Sequence, residues 1–386
     1  MAFVLADVGI APAQVPAPLV AKRVEETIRE GVRRNYEGDW EGAEKAFAAL
    51  SVLDPTHPAA AFWPVTTAYW RTAEDSRDPA DQARVTGALK RTVALAEARL
   101  AKDPDDAEMH FYRGQALAHW GLAVAEEGHL LRGARKSIEG TKALRRALEL
   151  RPGYLEPNLP LGGHLYFLSL VPSVVKWFDW LWFIPEGDHD EGLRMIRACA
   201  EHCALLAQSA EGMLFQIHAF HEPGGHATAL EIGRRLRRKF PDNAILQARW
   251  AQLLVDAGRL KEAVAETLDI ERKARTRVRG YDAKIEALAR IRRAQAELAL
   301  GAAAGAKATL ATFADGEPSH PRWGPHEVAL ARGEAEDLLG RRDAARAYYE
   351  QVLDLDEVPW HDGPIEAARR YLDEPFGLSG REARAP

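Results

Sequence analysis

The sequence is poor in cysteine, with two among 386 residues, Cys199 and Cys203. Two thiols cannot build a disulfide framework, and a reducing compartment is the simplest expectation for them. No run of 18 or more apolar residues occurs, which excludes an ordinary membrane-spanning helix. No sustained two-residue apolar alternation bounded by Asn-Gly or Asp-Gly turns is present, so strands are not expected. There is no Gly-x-Ser-x-Gly elbow, no Walker-type phosphate loop and no Gly-x-Gly-x-x-Gly after a strand. These are the commonest sequence signs of hydrolases and nucleotide-dependent enzymes. Excess positive charge is lacking too. A formal net charge of -6 gives no electrostatic footprint for nucleic acid, so no nucleic-acid partner is expected.

What is present is a globular composition, 47% hydrophobic and 28% charged, rich in Ala, Arg and Gly in the bacterial manner. The opening Met1–Val20 is apolar and proline-bearing but lacks the basic start and long apolar middle of a secretory signal. It reads as a flexible lead-in. The expected location is cytoplasmic, with a membrane-peripheral or periplasmic one as alternatives.

Self-similarity is the strongest signal. Between Tyr36 and Pro58, the residues Gly38, Trp40, Ala43, Phe47, Leu50 and Pro55 fall at offsets 0, 2, 5, 9, 12 and 17, with Gly31 seven residues ahead of Gly38. Gly224, His226, Ala229, Gly233, Leu236 and Pro241 repeat the pattern, with position 226 the misfit. Gly258, Leu260, Ala263, Thr267 and Ile270 follow it, preceded by Ala251. So do Gly301, Ala303, Ala306, Leu310 and Phe313 after Ala294, and Gly340, Arg342, Ala345, Tyr349 and Val352 after Gly333. This spacing resembles the tetratricopeptide repeat (TPR) family. The resemblance implies paired antiparallel helices with small residues where they cross, a large residue filling the gap, and a proline ending the second helix. Degenerate repeat ends stand at Lys102–Asp106 and Leu150–Tyr154, behind longer helical segments at 82–102 and 131–150.

The expected fold is therefore all-α, a TPR-like solenoid of helical hairpins with a central, aromatic-rich, irregular helical insertion. It divides into the lead-in 1–20, repeats 21–160, the insertion 161–192, repeats 193–376 and a disordered tail 377–386. The insertion holds Tyr166, Phe167, Trp177, Trp180, Trp182 and Phe183. Three readings stand for it: packing inside the solenoid, a groove for an apolar ligand or partner, and contact with a membrane surface. Residues Leu168 to Gly192 are also similar to the central signature of the inclusion-body-clearance (Iml-type) and related tetratricopeptide outer-membrane proteins. That resemblance implies an adaptor linked to lipid handling.

Histidine and cysteine cluster in two places. His218, His221 and His226 surround a turn at Pro223-Gly224-Gly225, and His202 lies beside Cys199 and Cys203 on the preceding helix. A mixed zinc site is conceivable there, but the spacing matches no zinc motif and no metal or other cofactor is predicted. The acidic group Glu186, Asp188, Asp190 and Glu191 reads as a helix cap, with Asp188 or Asp190 the capping residue. Basic runs at 234–239 and 272–279 read as solvated helix ends, with docking of an acidic peptide the sharper alternative. The function predicted is a non-enzymatic scaffold holding a protein or peptide in its concave groove. Its candidate lining comes from the first helix of each pair: Arg34, Arg113, Trp120, His218, Gln247, Trp250 and Arg293. The alternative is an apolar-ligand or membrane-peripheral adaptor using residues 161–185. Oligomeric state is not encoded in any of these signals.

Overall fold

The computed structural model describes residues 17–72, 79–170, 187–313, 322–356, 358 and 361–377. Among them every regular element is an α-helix. They run as pairs: α1 (Ala17–Tyr36) with α2 (Trp40–Leu53), α3 (Ala59–Thr72) with α4 (Pro79–Leu100), and α5 (Ala107–Glu126) with α6 (Leu130–Leu150). Next come α7 (Asn158–Ser169) with α8 (His189–His202), α9 (Ala207–Phe220) with α10 (His226–Lys239), and α11 (Ala244–Asp256) with α12 (Leu260–Arg275). The last are α13 (Ala283–Ala299) with α14 (Ala303–Leu310), α15 (Gly324–Leu338) with α16 (Arg342–Asp354), and a closing helix α17 (Gly363–Asp373).

The repeat residues explain the pairing. All five turn glycines, Gly38, Gly224, Gly258, Gly301 and Gly340, have φ between 69 and 75°, a left-handed conformation that side chains with a Cβ resist. Where helices cross, small meets large. A Cβ on Gly31 would overlap the ring of Phe47, and one on Gly333 the ring of Tyr349; both rings are fully buried. The second copy reverses the roles, since the space beside Gly233 is filled by Trp250 and Phe215. Side-chain caps then start several helices: Asp39 for α2, Asp106 for α5, Asp188 for α8, Asn243 for α11 and Asp282 for α13.

Successive first helices meet, α11 on α13, α13 on α15 and α15 on α17, so they form a continuous wall with their companions behind. One apolar core runs from Val24 in α1 to Ala296 in α13, and smaller ones lie across α11 to α13 and beneath α13 to α17. The chain also closes on itself. The α1–α2 turn rests on the α10–α11 turn, where Asn243 Nδ2 donates to the Tyr36 carbonyl at 2.9 Å and the Tyr36 ring meets Phe240 at 5.2 Å. Arg279 pairs with Asp39 at 3.0 Å, and Trp40 packs in the cluster that contains Tyr281.

Three expectations change. Cys199 and Cys203, four residues apart, are joined as a disulfide across the last turn of α8. Helical spacing places the two on one face, within reach of one another. Helix α1 starts at Ala17, inside the stretch read as a lead-in. The central region is in part an ordinary hairpin, because α7 and α8 cross at Gly162 and Gly192. Asp188 N donates to the Leu165 carbonyl at 3.1 Å, so the chain leaves α7 and enters α8 at adjoining points. Residues 171–186 lie between those points and outside the described residues, and Trp177, Trp180, Trp182 and Phe183 with them. The lead-in before Ala17 and the tail beyond Gly377 also lie outside. No described helix is long and apolar enough to cross a membrane.

Candidate functional site

The residues expected to line a groove are mostly engaged in holding helices together. Arg34 is clamped by Glu30 and Asp39 at the α1–α2 turn. Arg113 bridges Glu97 of α4 and Glu139 of α6. Trp120 is partly buried, with Lys136 Nζ 3.2 Å and Lys90 Nζ 5.4 Å from its ring centre. His218 is buried, and burial pushes its imidazole below the usual range. Gln247 is wholly enclosed. Its amide donates to Glu266 and Asp269, and its carbonyl accepts from Lys273 and Tyr281. Trp250 is buried because it occupies the space that Gly233 leaves. Arg293 pairs with the buried Glu271 at 2.7 Å and donates to Thr309, tying α12, α13 and α14. His218, Gln247 and Trp250 are thus corrected from groove to interior.

A different set occupies the face along which first helices meet. Arg249 lies over the ring of Phe220 on α9, 5.9 Å from its centre, and its guanidinium reaches Gln252. Arg292 lies over Trp323 at 5.3 Å and donates to Gln295 Oε1 at 2.9 Å. Gln295 in turn donates to Glu327 of α15 at 2.8 Å. Each pair stands nine and six residues ahead of its turn glycine, Gly258 or Gly301, so the repeat itself brings Arg and Gln into parallel rows. In the sequence the arginine row stands one residue from Trp250 and Arg293, and the glutamine row two.

A second cluster stands where the chain leaves α7. The Glu222 carboxylate accepts from the Tyr166 hydroxyl at 2.6 Å and from His189 Nε2 at 2.9 Å, while His189 Nδ1 faces Asp190 at 2.9 Å. With both ring nitrogens against carboxylates, His189 is favoured as imidazolium, and Asp190 and Glu222 raise its pKa. Burial pushes the Glu222 carboxyl up, but the bonds from Tyr166 and His189 outweigh it and the net shift is downward. Burial and Glu222 together push the Tyr166 phenol up, so it stays protonated near neutral pH. These groups satisfy one another and form a latch. Phe167 beside them is 41% exposed and meets His221 edge to face.

The Cys199 and Cys203 sulfurs are bonded to each other, His202 points to solvent, and among the described residues no three His, Cys, Asp or Glu side chains converge as ligands. Asp188 caps α8 through Glu191 N at 3.0 Å. In the basic runs, Arg235, Arg237, Arg272 and Arg279 pair with Glu211, Glu266, Asp269 and Asp39.

These features define a class, the TPR-like α-solenoid. No family model matches the chain, and no curated protein matches it in sequence. Among solved structures it is similar to yeast Tom70, at 12% identity over 95% of this chain and 86% of that one, with a TM-score of 0.41. It is also similar to human IFIT1, solved as a dimer with PPP-AAAA, at 12% identity over 95% and 89% with a TM-score of 0.44. A circular tandem repeat protein with novel repeat topology gives 17% identity over 96% and 91%, with a TM-score of 0.24. At such scores the fold assignment stands on the helix order and repeat geometry of this chain.

Proposed function

We propose that the chain is a non-enzymatic scaffold that seats a segment of a partner protein along the wall of first helices from α9 to α15. The observation that carries this reading is the repetition of Arg249/Gln252 as Arg292/Gln295 on adjacent helices, each arginine backed by an aromatic ring. Guanidinium groups suit carboxylates, and the half-buried Gln252 carboxamide suits both the donors and acceptors of a peptide backbone, while the buried Gln295 holds Arg292 and Glu327 in place. Such a wall recognises an elongated segment with acidic side chains spaced to meet successive repeats. The test is site-specific photo-crosslinking from Gln252 on the wall and from Ala265, exposed on α12 behind it. Crosslinks to one defined partner segment from position 252 alone, lost in Arg249→Glu/Arg292→Glu with unchanged melting, support the reading. Equal crosslinking from both positions, or insensitivity to the charge reversal, rejects it.

The alternative, an adaptor for apolar ligands centred on the insertion, has Phe167 and Leu170 as its described footing, 41% and 43% exposed beside the point where residues 171–186 depart. On that reading the chain extracts a fluorescent fatty acid and Phe167→Ser/Leu170→Ser abolishes the extraction, whereas on the first reading neither chain extracts it.

A further inference from the structure

Among the described helices, α5 and α6 make the most extensive contact. A Cβ on Gly140 would stand 2.7 Å from the Gly114 carbonyl oxygen, and one on Gly121 2.7 Å from that of Gly133. Four glycines therefore let two backbones touch, and α6 takes nearly all its helix contacts from α5. The far end of this hairpin is apolar on the outside. Leu122, Leu130 and Leu131 are 55%, 61% and 44% exposed around the turn at Gly128. Below them, the solvent face of α6 carries Arg132, Arg135, Lys142 and Arg145, all exposed. None makes an ion pair or side-chain hydrogen bond among the described residues. Of the acids nearby, Glu139 is taken by Arg113 and Glu149 by Arg146, Glu191 of α8 acts on Arg145, and Glu127 stands exposed at the turn. At 100° per residue Arg132, Arg135 and Lys142 lie within about 100° of Leu131 around α6, with Arg132 and Arg135 in the turn next to it.

We propose that the tip of the α5–α6 hairpin is a docking surface for an anionic phospholipid membrane, with Leu122, Leu130 and Leu131 entering the interface and the α6 cations meeting the headgroups. The surface is separate from the first-helix wall, so this inference stands or falls independently of the scaffold reading. Exposed leucines contiguous with unpaired cations are the two components an interfacial anchor needs, apolar insertion and attraction to acidic headgroups. The side chains favour a lipid surface over a protein: the cations of α6 have long, flexible stems that follow a fluid layer of charge.

The test is flotation of the full chain with vesicles of phosphatidylcholine alone and of phosphatidylcholine with about one third phosphatidylserine. Binding is expected to the anionic vesicles alone, and to weaken in high salt. Leu130→Asp/Leu131→Asp and Arg132→Glu/Arg135→Glu each lower the apparent affinity by roughly tenfold or more. Arg275→Glu/Arg277→Glu, an equal charge change at the end of α12, leaves it unchanged. All these positions are exposed, and circular dichroism confirms that each variant keeps the helicity of the parent. Absence of binding to anionic vesicles, retained binding in the leucine variant, or an equal loss from the α12 variant overturns the proposal.

Discussion

At the scale of single residues, glycine separates two situations that look alike in a sequence. Gly31→Ala and Gly333→Ala force a methyl into the buried rings of Phe47 and Tyr349 and are expected to cost about 1–3 kcal/mol in urea unfolding. Gly87→Ala, inside α4 with open space where the new methyl would stand, is expected to stabilise by roughly 0.5–1 kcal/mol. His57 gives a residue-scale pH effect. Its Nδ1 accepts from Ala59 N at 3.2 Å, and burial, then the charge of Arg99, lowers its pKa from 6.5 to about 4 against the pull of Asp54 and Asp106. The unfolded chain takes up this proton first, so stability is complete above pH 6.5 and declines towards pH 4, by at most about 1.4 kcal/mol per pH unit from this group. His57→Asn keeps an acceptor and removes the titration. Urea midpoints for both chains at pH 7 and 5 check it: parallel pH slopes rule out a buried neutral imidazole. The same scale explains where the sequence reading of the wall missed. One residue is a 100° turn of a helix, so Trp250 and Arg293 face inward while Arg249 and Arg292 face the wall. Gln247 misleads for another reason. A polar side chain suggests exposure, but Lys273 and Tyr281 complete its hydrogen bonds inside.

At the scale of elements, turn glycines, crossing residues and proline ends locate the hairpins well, because each acts within its own pair. The α5–α6 hairpin was legible only as longer helices, since its contact depends on Gly114, Gly121, Gly133 and Gly140, which lie outside the repeat template. Gly140→Ala is expected to cost about 1–3 kcal/mol, because the new methyl meets the backbone of Gly114 and Ala118, which cannot rotate away. Thermal unfolding measures the loss. A cost below that of Gly31→Ala would mean that the hairpin opens to accommodate it.

At the scale of the whole molecule, the seating of the first repeat on the α10–α11 turn has no sequence signature. It joins residues 207 positions apart, and periodicity reports only on neighbours. Asn243 makes the link while its other side-chain atom caps α11 at Leu246 N. Asn243→Ala is expected to cost about 1–3 kcal/mol and to raise amide exchange in α1 and α2 above that in α15 and α16. Uniform exchange would show that the first repeat is secured elsewhere.

That closure bears on how the protein is made. During synthesis the apolar surface around Tyr36 and Trp40 emerges long before Phe240 and Tyr281, which cover the part of it that Trp70 does not. At ordinary elongation rates the interval is roughly 10–40 s. For that time the nascent first repeat is a ready client for a chaperone at the ribosome, unlike the later repeats, whose neighbours follow at once.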